Sequence, residues 1–177
     1  MRTLYIERST GDCRSGDWVE RLDLSDKPER IVVGTGPGSF AGIRSALAFA
    51  QGYAIGSNCE VLGLPSACAL AEASRKIAVV GDARRGKFWV ALFDGFSQVG
   101  DIFQVEREGL PGAVPEGFAV TTPDAVRIDS LLAETFRGRY IGGRTPSEEG
   151  LRLFVEANQA ILRPEPLPLY LNPAVRD

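Results

Sequence analysis

The chain has 177 residues, 44% of them hydrophobic, enough for one domain or two small lobes with a real core. Its net charge of −3 argues against a chain that holds nucleic acid by itself, because phosphate binding needs a basic surface. It has no histidine, which removes Ser-His-Asp and Cys-His catalysis, HExxH zinc proteases and histidine metal sites together. Three cysteines without paired spacing, Cys13, Cys59 and Cys68, predict free thiols in a reducing compartment. No basic stretch followed by an apolar one opens the chain, and its most apolar helical segment is interrupted by Gln51 and Gly52. The expectation is a cytoplasmic protein with no membrane segment.

In chain order, residues 2–7 alternate like a strand, and Ser9-Thr10-Gly11-Asp12 is a turn cluster. Residues 13–24 have room for one or two short strands but little for a helix. Arg30-Ile31-Val32-Val33 is a β-branched run that predicts a buried strand. The glycines of Gly34-Thr35-Gly36-Pro37-Gly38-Ser39 permit a tight turn, with Ser39 as N-cap of the next helix. That helix runs from Phe40 to about Ile55, with apolar residues Phe40, Ile43, Leu47, Ala50 and Ala54 at helical spacing. A second stripe, Gly42, Ala46, Ala50 and Ala54, is small at every fourth position, so another backbone can approach it closely.

Gly56-Ser57-Asn58 predicts a helix stop, and residues 60–64 return as a strand parallel to the first. Pro65-Ser66 opens an expected second helix through residues 67–73. Residues 76–80 and 87–93 read as a hairpin around a turn at 81–86, its second strand apolar on both faces. Residues 95–123 read as short strands and connections, with Phe103, Val105, Phe118 and Val120 available for a small core. A helix is expected at 128–136, a strand at 139–143, and a last helix from Ser147, Glu148 and Glu149 through Leu151, Phe154, Val155 and Ile161. The tail from 164 to 177 reads as extended. The boundaries expected are a first lobe over 1–75, a smaller α/β lobe over 76–145, and a helix and tail over 146–177 that can return to the first lobe.

Rival motifs fail on particular residues. Gly36-Pro37-Gly38-Ser39-Phe40-Ala41 satisfies the dinucleotide pattern G-x-G-x-x-G/A, but the next strand ends in Leu64-Pro65 where a ribose-binding acid belongs. No Lys-Ser/Thr follows the glycines, which excludes a Walker A loop. Pro37 stands where a nucleophile elbow needs glycine. Arg84-Arg85 in the hairpin turn are placed to meet phosphate, although such pairs beside an Asp are more often a solvated tip. Asp82 is expected to accept from turn amides. Trp89 belongs to the core, and Trp18 reads as an exposed packing residue.

Gly36-Pro37-Gly38-Ser39-Phe40-Ala41-Gly42-Ile43-Arg44 closely resembles the GPGSFTGLR signature of the TsaB (YeaZ) family, with Ala41 for Thr and Ile43 for Leu. Three further segments follow in that family's order. Leu64-Pro65-Ser66-Ala67-Cys68-Ala69-Leu70-Ala71 resembles V-S-S-L-x-A-L-A, and Asp82-Ala83-Arg84-Arg85-Gly86-Lys87-Phe88-Trp89-Val90-Ala91 resembles D-A-R-R-G-E-V-Y-V-A. Pro168-Leu169-Tyr170-Leu171 resembles P-x-Y-L-R, with Asn172 where Arg is usual.

The resemblance implies an α/β, two-lobed actin/Hsp70/RNase H-like (ASKHA) fold, here with a shortened N-terminal lobe. The family's opening Asp-Thr-Ser is matched only by Ile6-Glu7-Arg8-Ser9-Thr10, and the chain is too short for the family's first helix, which normally shares the partner interface. It also implies a non-catalytic scaffold in N6-threonylcarbamoyladenosine (t6A) modification of tRNA. The partner would be a TsaD-like catalytic subunit, joined by a TsaE-like ATPase; the chain would form a homodimer in isolation and meet tRNA only indirectly. By resemblance, the partner-binding residues are Gly36, Pro37, Gly38, Ser39, Phe40, Gly42, Ile43, Arg44, Ala46, Leu47, Ala50 and Ala54. The small stripe can equally pack on the chain's own sheet. No catalytic residue, metal or cofactor is expected in this chain, with ATP bound only alongside a partner, and no peptidase chemistry. The alternatives are an ATP-binding small-molecule kinase or transferase of the same superfold, and a homodimeric interaction protein.

Overall fold

The β-branched run ahead of the glycines forms the central strand of a parallel sheet. In the computed structural model, which describes residues 2–10, 19, 22, 24–25, 27–158, 161–164 and 166–171, β1 (Thr3–Ile6), β2 (Arg30–Gly34) and β3 (Glu60–Leu64) pair in that order. Helix α1 (Phe40–Ser57) makes the crossover between β2 and β3. Ser39 caps its start by accepting from the Gly42 N–H at 3.4 Å. Asn58, at φ 55°, supplies the left-handed C-cap, and its N–H donates to the Ala54 carbonyl. Ile43, Ala46, Leu47 and Ala50 pack with Ile6, Ile31, Val33 and Cys59 into one core.

The chain divides into two units. The first comprises Met1–Ala69 and Ser147–Leu169, and the second Leu70–Pro146 and Tyr170–Asp177. In the first unit, α4 (Glu148–Ala157) is capped by Ser147, which accepts from the Gly150 N–H, and it contacts β1. Gly150 is required there, since a Cβ would overlap the Ala69 carbonyl.

The second unit holds β4 (Lys76–Arg84), β5 (Lys87–Asp94), β6 (Ser97–Gln98), β7 (Phe103–Glu106), β8 (Ala119–Thr122) and β9 (Tyr140–Gly143). The sheet order is β6-β5-β4-β8-β9, with β7 also paired to β5. The β4–β5 and β5–β7 pairs are antiparallel, whereas β4–β8 and β8–β9 are parallel. A short helix α2 (Leu110–Ala113) and α3 (Ala125–Thr135) contribute Leu110, Ile128 and Leu132 to a core with Ala78, Val80, Phe88, Val90, Leu92 and Phe136. Among the described residues no helix is long and apolar enough to cross a membrane.

Several expectations change. The helix expected over 67–73 is only a 3₁₀ turn, Ser66–Leu70, because β4 begins at Lys76 and the Ser66 hydroxyl is engaged with the glycine loop. Gly81 lies inside β4 rather than in the turn, opposite Trp89. The last helix ends at Ala157, short of Ile161, where the Asn158 N–H closes on the Phe154 carbonyl. Phe103 is exposed, whereas Phe118 and Val120 enter the core and Val105 packs against it. A short helix and a 3₁₀ turn interrupt the region expected as strands. Within 13–24, where strands are expected, the described residue Val19 is helical and Leu22 and Leu24 lie in no strand; residues 11–18, Trp18 included, and Asn172 lie outside the described residues.

A methyl group at Gly81 would overlap the Trp89 indole. Gly81→Ala is therefore expected to destabilise the chain by about 1–3 kcal/mol, the range for overpacking a filled core. Urea denaturation checks this.

Candidate functional site

β2 delivers the glycine loop to the C-terminal end of the parallel sheet, and what the strand cannot carry there explains its glycines. A Cβ on Gly34 would overlap the Glu7 carboxyl and lie 2.7 Å from Ser66 Oγ. Gly36 has φ +97°, and a Cβ there would sit 2.7 Å from Ile43 Cδ1. The backbone of Ser9 fills the place of a Cβ on Gly38. The Gly36–Pro37 peptide is cis.

The loop's polar groups bond within the chain. The Thr35 N–H donates to the Leu64 carbonyl at 2.8 Å, and the Leu169 N–H donates to the Thr35 carbonyl at 2.8 Å. Gly36 and Ser66 exchange two bonds: the Gly36 N–H donates to Ser66 Oγ at 3.0 Å, and the Ser66 N–H to the Gly36 carbonyl at 2.7 Å. The Ser39 N–H donates to the Ser9 carbonyl. Pro37 has no N–H to offer. A phosphate cradle needs loop amides aimed at a ligand, and the amides of Thr35, Gly36 and Ser39 are aimed at this chain's own carbonyls and hydroxyls.

Beneath the loop, Glu7 is buried, with Oε1 accepting from the Ser9 N–H at 2.6 Å. Burial pushes the Glu7 carboxyl above its ordinary range and Glu148 adds to the rise, while hydrogen bonding from Ser9 and Ser66 opposes it. Cys68 is fully buried and Cys59 nearly so; both are free thiols, and burial raises both, which makes them poor nucleophiles.

The residues predicted to bind a partner separate into two groups. Gly36, Pro37, Gly42, Ile43, Ala46, Leu47 and Ala50 are buried within the first unit, and Ser39 and Ala54 are partly covered. Ala46 and Ala50 are 0% exposed, so these members of the small stripe pack on the chain's own sheet. Gly38, Phe40 and Arg44 face solvent. Phe40 is 47% exposed, and the Arg44 guanidinium lies over its ring at 4.2 Å. The same face continues through Ala48, Gln51, Gly52 and Ile55, the last 90% exposed. A groove of about 380 Å³ runs beside it, lined by Arg44, Leu47, Ala48 and Gln51 and by Pro166, Leu167 and Pro168. The sequence reading does not single out Ala48, Gln51 and Ile55 on this exposed face. The available signal is their helical spacing from Phe40 and Arg44.

The raised Glu7 value fixes the sign of a pH effect. Its contribution to stability is fully present below the ordinary carboxyl value of 4.5 and is lost as pH rises through the raised folded-state value. Glu7→Gln stays neutral and can still accept from Ser9. The variant is expected to gain on wild type as pH rises above the ordinary carboxyl value, as read by urea denaturation across a pH series.

Comparison with known proteins places this geometry in a family. The family profile described as "TsaD: tRNA N6-adenosine threonylcarbamoyltransferase" matches residues 19–108, half of the chain. Proteins of Mycobacterium tuberculosis and Mycobacterium bovis, both named as uncharacterized, are 31% identical over 171 residues, covering 95% of this chain and 75% of theirs. A Pseudomonas aeruginosa structure described as an uncharacterized protein with similarity to peptidase YEAZ superposes with a TM-score of 0.69 at 18% identity, over 97% of this chain and 100% of that one. A second structure, YeaZ from Pseudomonas aeruginosa, gives 0.67 at 20% identity, over 95% and 99%. The fold is thus the ASKHA-like α/β fold of those structures. The chain belongs to the tRNA N6-adenosine threonylcarbamoyltransferase family, as a TsaB/YeaZ-like member.

Proposed function

We propose that this chain is a non-catalytic subunit in N6-threonylcarbamoyladenosine modification of tRNA, acting through a TsaD-like catalytic partner in the cytoplasm. The family match supports the pathway. One observation carries the scaffold role: the row Phe40, Arg44, Ala48 and Ile55 faces solvent beside a glycine loop whose Thr35, Gly36 and Ser39 amides bond within the chain. Apolar residues on an open helix face let a second helix pack against it. With no histidine, the chain has no imidazole base or ligand of its own.

In this reading the partner docks on the outer face of α1, and a second copy of the chain covers the same face when the partner is absent. A TsaE-like ATPase joins the assembly through the catalytic subunit. ATP enters with these partners. The buried stripe at Gly42, Ala46 and Ala50 supports the interface from beneath by holding α1 on its sheet.

The test separates the two layers of the helix. Ala48 is exposed, so Ala48→Glu leaves the fold intact. It is expected to weaken binding of the TsaD-like enzyme of the same host by about 2 kcal/mol, near thirtyfold, as for a central interface residue. Calorimetric titration measures this. Depleting the chain should lower the modified nucleoside in bulk tRNA, with rescue by wild type but not by Ala48→Glu. Unchanged modification on depletion would sink the pathway, and full rescue by Ala48→Glu would remove α1 as the docking face. Ala46→Trp does not serve, since Ala46 has no exposed surface and its replacement would break the core.

A further inference from the structure

The tip of the β4–β5 hairpin carries a cluster that the scaffold role does not use. Arg84 and Arg85 have φ of 68° and 54°, and Gly86 follows at 80°. Side chains adopt this left-handed conformation reluctantly, and a hairpin turn of this kind favours Asn, Asp or Gly. Two carboxylates build the tip. Asp82 Oδ1 accepts from the Arg84 N–H at 2.8 Å, and the Asp82 N–H donates to Asp124 Oδ2 at 2.9 Å. The Asp124 N–H in turn donates to Thr122 Oγ1 at 3.0 Å.

The same carboxylates hold two guanidiniums. Asp82 Oδ2 lies 3.5 Å from Nη1 of Arg84 and 3.6 Å from Nη1 of Arg127, which is also 3.5 Å from Asp124 Oδ1. The acids are covered and the cations are open: side-chain exposure is 16% for Asp82 and 23% for Asp124, against 63% for Arg84 and 46% for Arg127. Each guanidinium has five donors, and these contacts address Nη1 alone. Arg85, exposed at the tip, pairs with no carboxylate among the described residues. Three guanidiniums against two carboxylates leave one excess positive charge.

We propose that Arg85, flanked by Arg84 and Arg127 as positioned by Asp82 and Asp124, binds a phosphodiester group of the RNA backbone. This rests on the tRNA-modification reading and goes beyond it, since it gives the chain a direct contact with tRNA. A phosphodiester carries one negative charge, which the single excess matches, and its two free oxygens suit the guanidinium fork. Backbone contacts of this kind position RNA without reading its sequence. In a chain of net charge −3, one such contact is weak and strongly salt-dependent.

Fluorescence anisotropy of an end-labelled, unmodified tRNA transcript, titrated with the full chain at several salt concentrations, tests it. The wild type is expected to bind weakly at low salt. Arg85→Ala should reduce affinity severalfold and lower the log–log salt slope by about one. Arg137→Ala, an exposed arginine elsewhere in the unit, should change neither. Arg85→Lys should recover part of the loss. Absence of salt-dependent binding by the wild type, equal losses in Arg85→Ala and Arg137→Ala, or tighter binding of a poly-glutamate peptide than of tRNA would each overturn the proposal. The two readings fail separately. Unchanged nucleoside modification on depletion removes the pathway. Arg85→Ala binding tRNA like wild type, in a host where depletion does lower the modification, removes only this contact.

Discussion

Three parallel strands of the first unit end together, and the buried carboxyl of Glu7 dictates what can surround that end. Position 34 admits no side chain because the carboxyl fills the space. Ser66 must present its hydroxyl to the Gly36 amide, which ties the end of β2 to the residues just after β3. The Ser9 amide is drawn onto the carboxyl, and the Ser9 carbonyl then receives the amide of Ser39, the last of the loop before α1. Leu169 closes the far side through Thr35. In open α/β sheets the carboxyl ends of the strands are the usual place for a ligand. Here the chain's own groups occupy that position.

The two units repeat one plan with different additions. β1, β2 and β3 are parallel neighbours in chain order, and β4, β8 and β9 repeat that arrangement. In the second unit β5, β6 and β7 extend the sheet antiparallel on one side. A shared scaffold therefore carries separate features: a packed helix face in one unit and a charged hairpin tip in the other.

Much of this was legible in the chain's own pattern. The run of Ile31, Val32 and Val33, then glycines, Ser39 and a long amphipathic helix, located β2, the loop and α1 nearly to the residue. The hairpin was equally clear from residues 76–93, but Gly81 read as a turn because spacing alone cannot reveal Trp89 across the strand. The segment after Pro65 looked helical because Ala and Leu favour helices, yet the demand of Gly36 for the Ser66 hydroxyl is a contact 30 residues distant. The small stripe of α1 was visible, but not which side of the helix the sheet would take. The motif singles out Phe40 and Arg44, whereas Ile55 lies beyond it. Asp124 stayed hidden because its bond to Asp82 joins residues 42 apart in the chain.

The pairing of β5 has a consequence for how the protein behaves in a crowded solution. Its residues 87–94 are apolar over most of their length, and a bare edge of that kind would template the addition of a strand from another molecule. Two short pieces cover it instead, β6 against Phe93 and Asp94 and β7 against residues 87–90. The new outer edges are two and four residues long and carry Gln98, Gln104 and Glu106, with Glu106 paired to Lys87 at 2.9 Å. Neither is long or apolar enough to invite stacking. The most hydrophobic strand of the second unit is thereby shielded from self-association without needing charges of its own in the core.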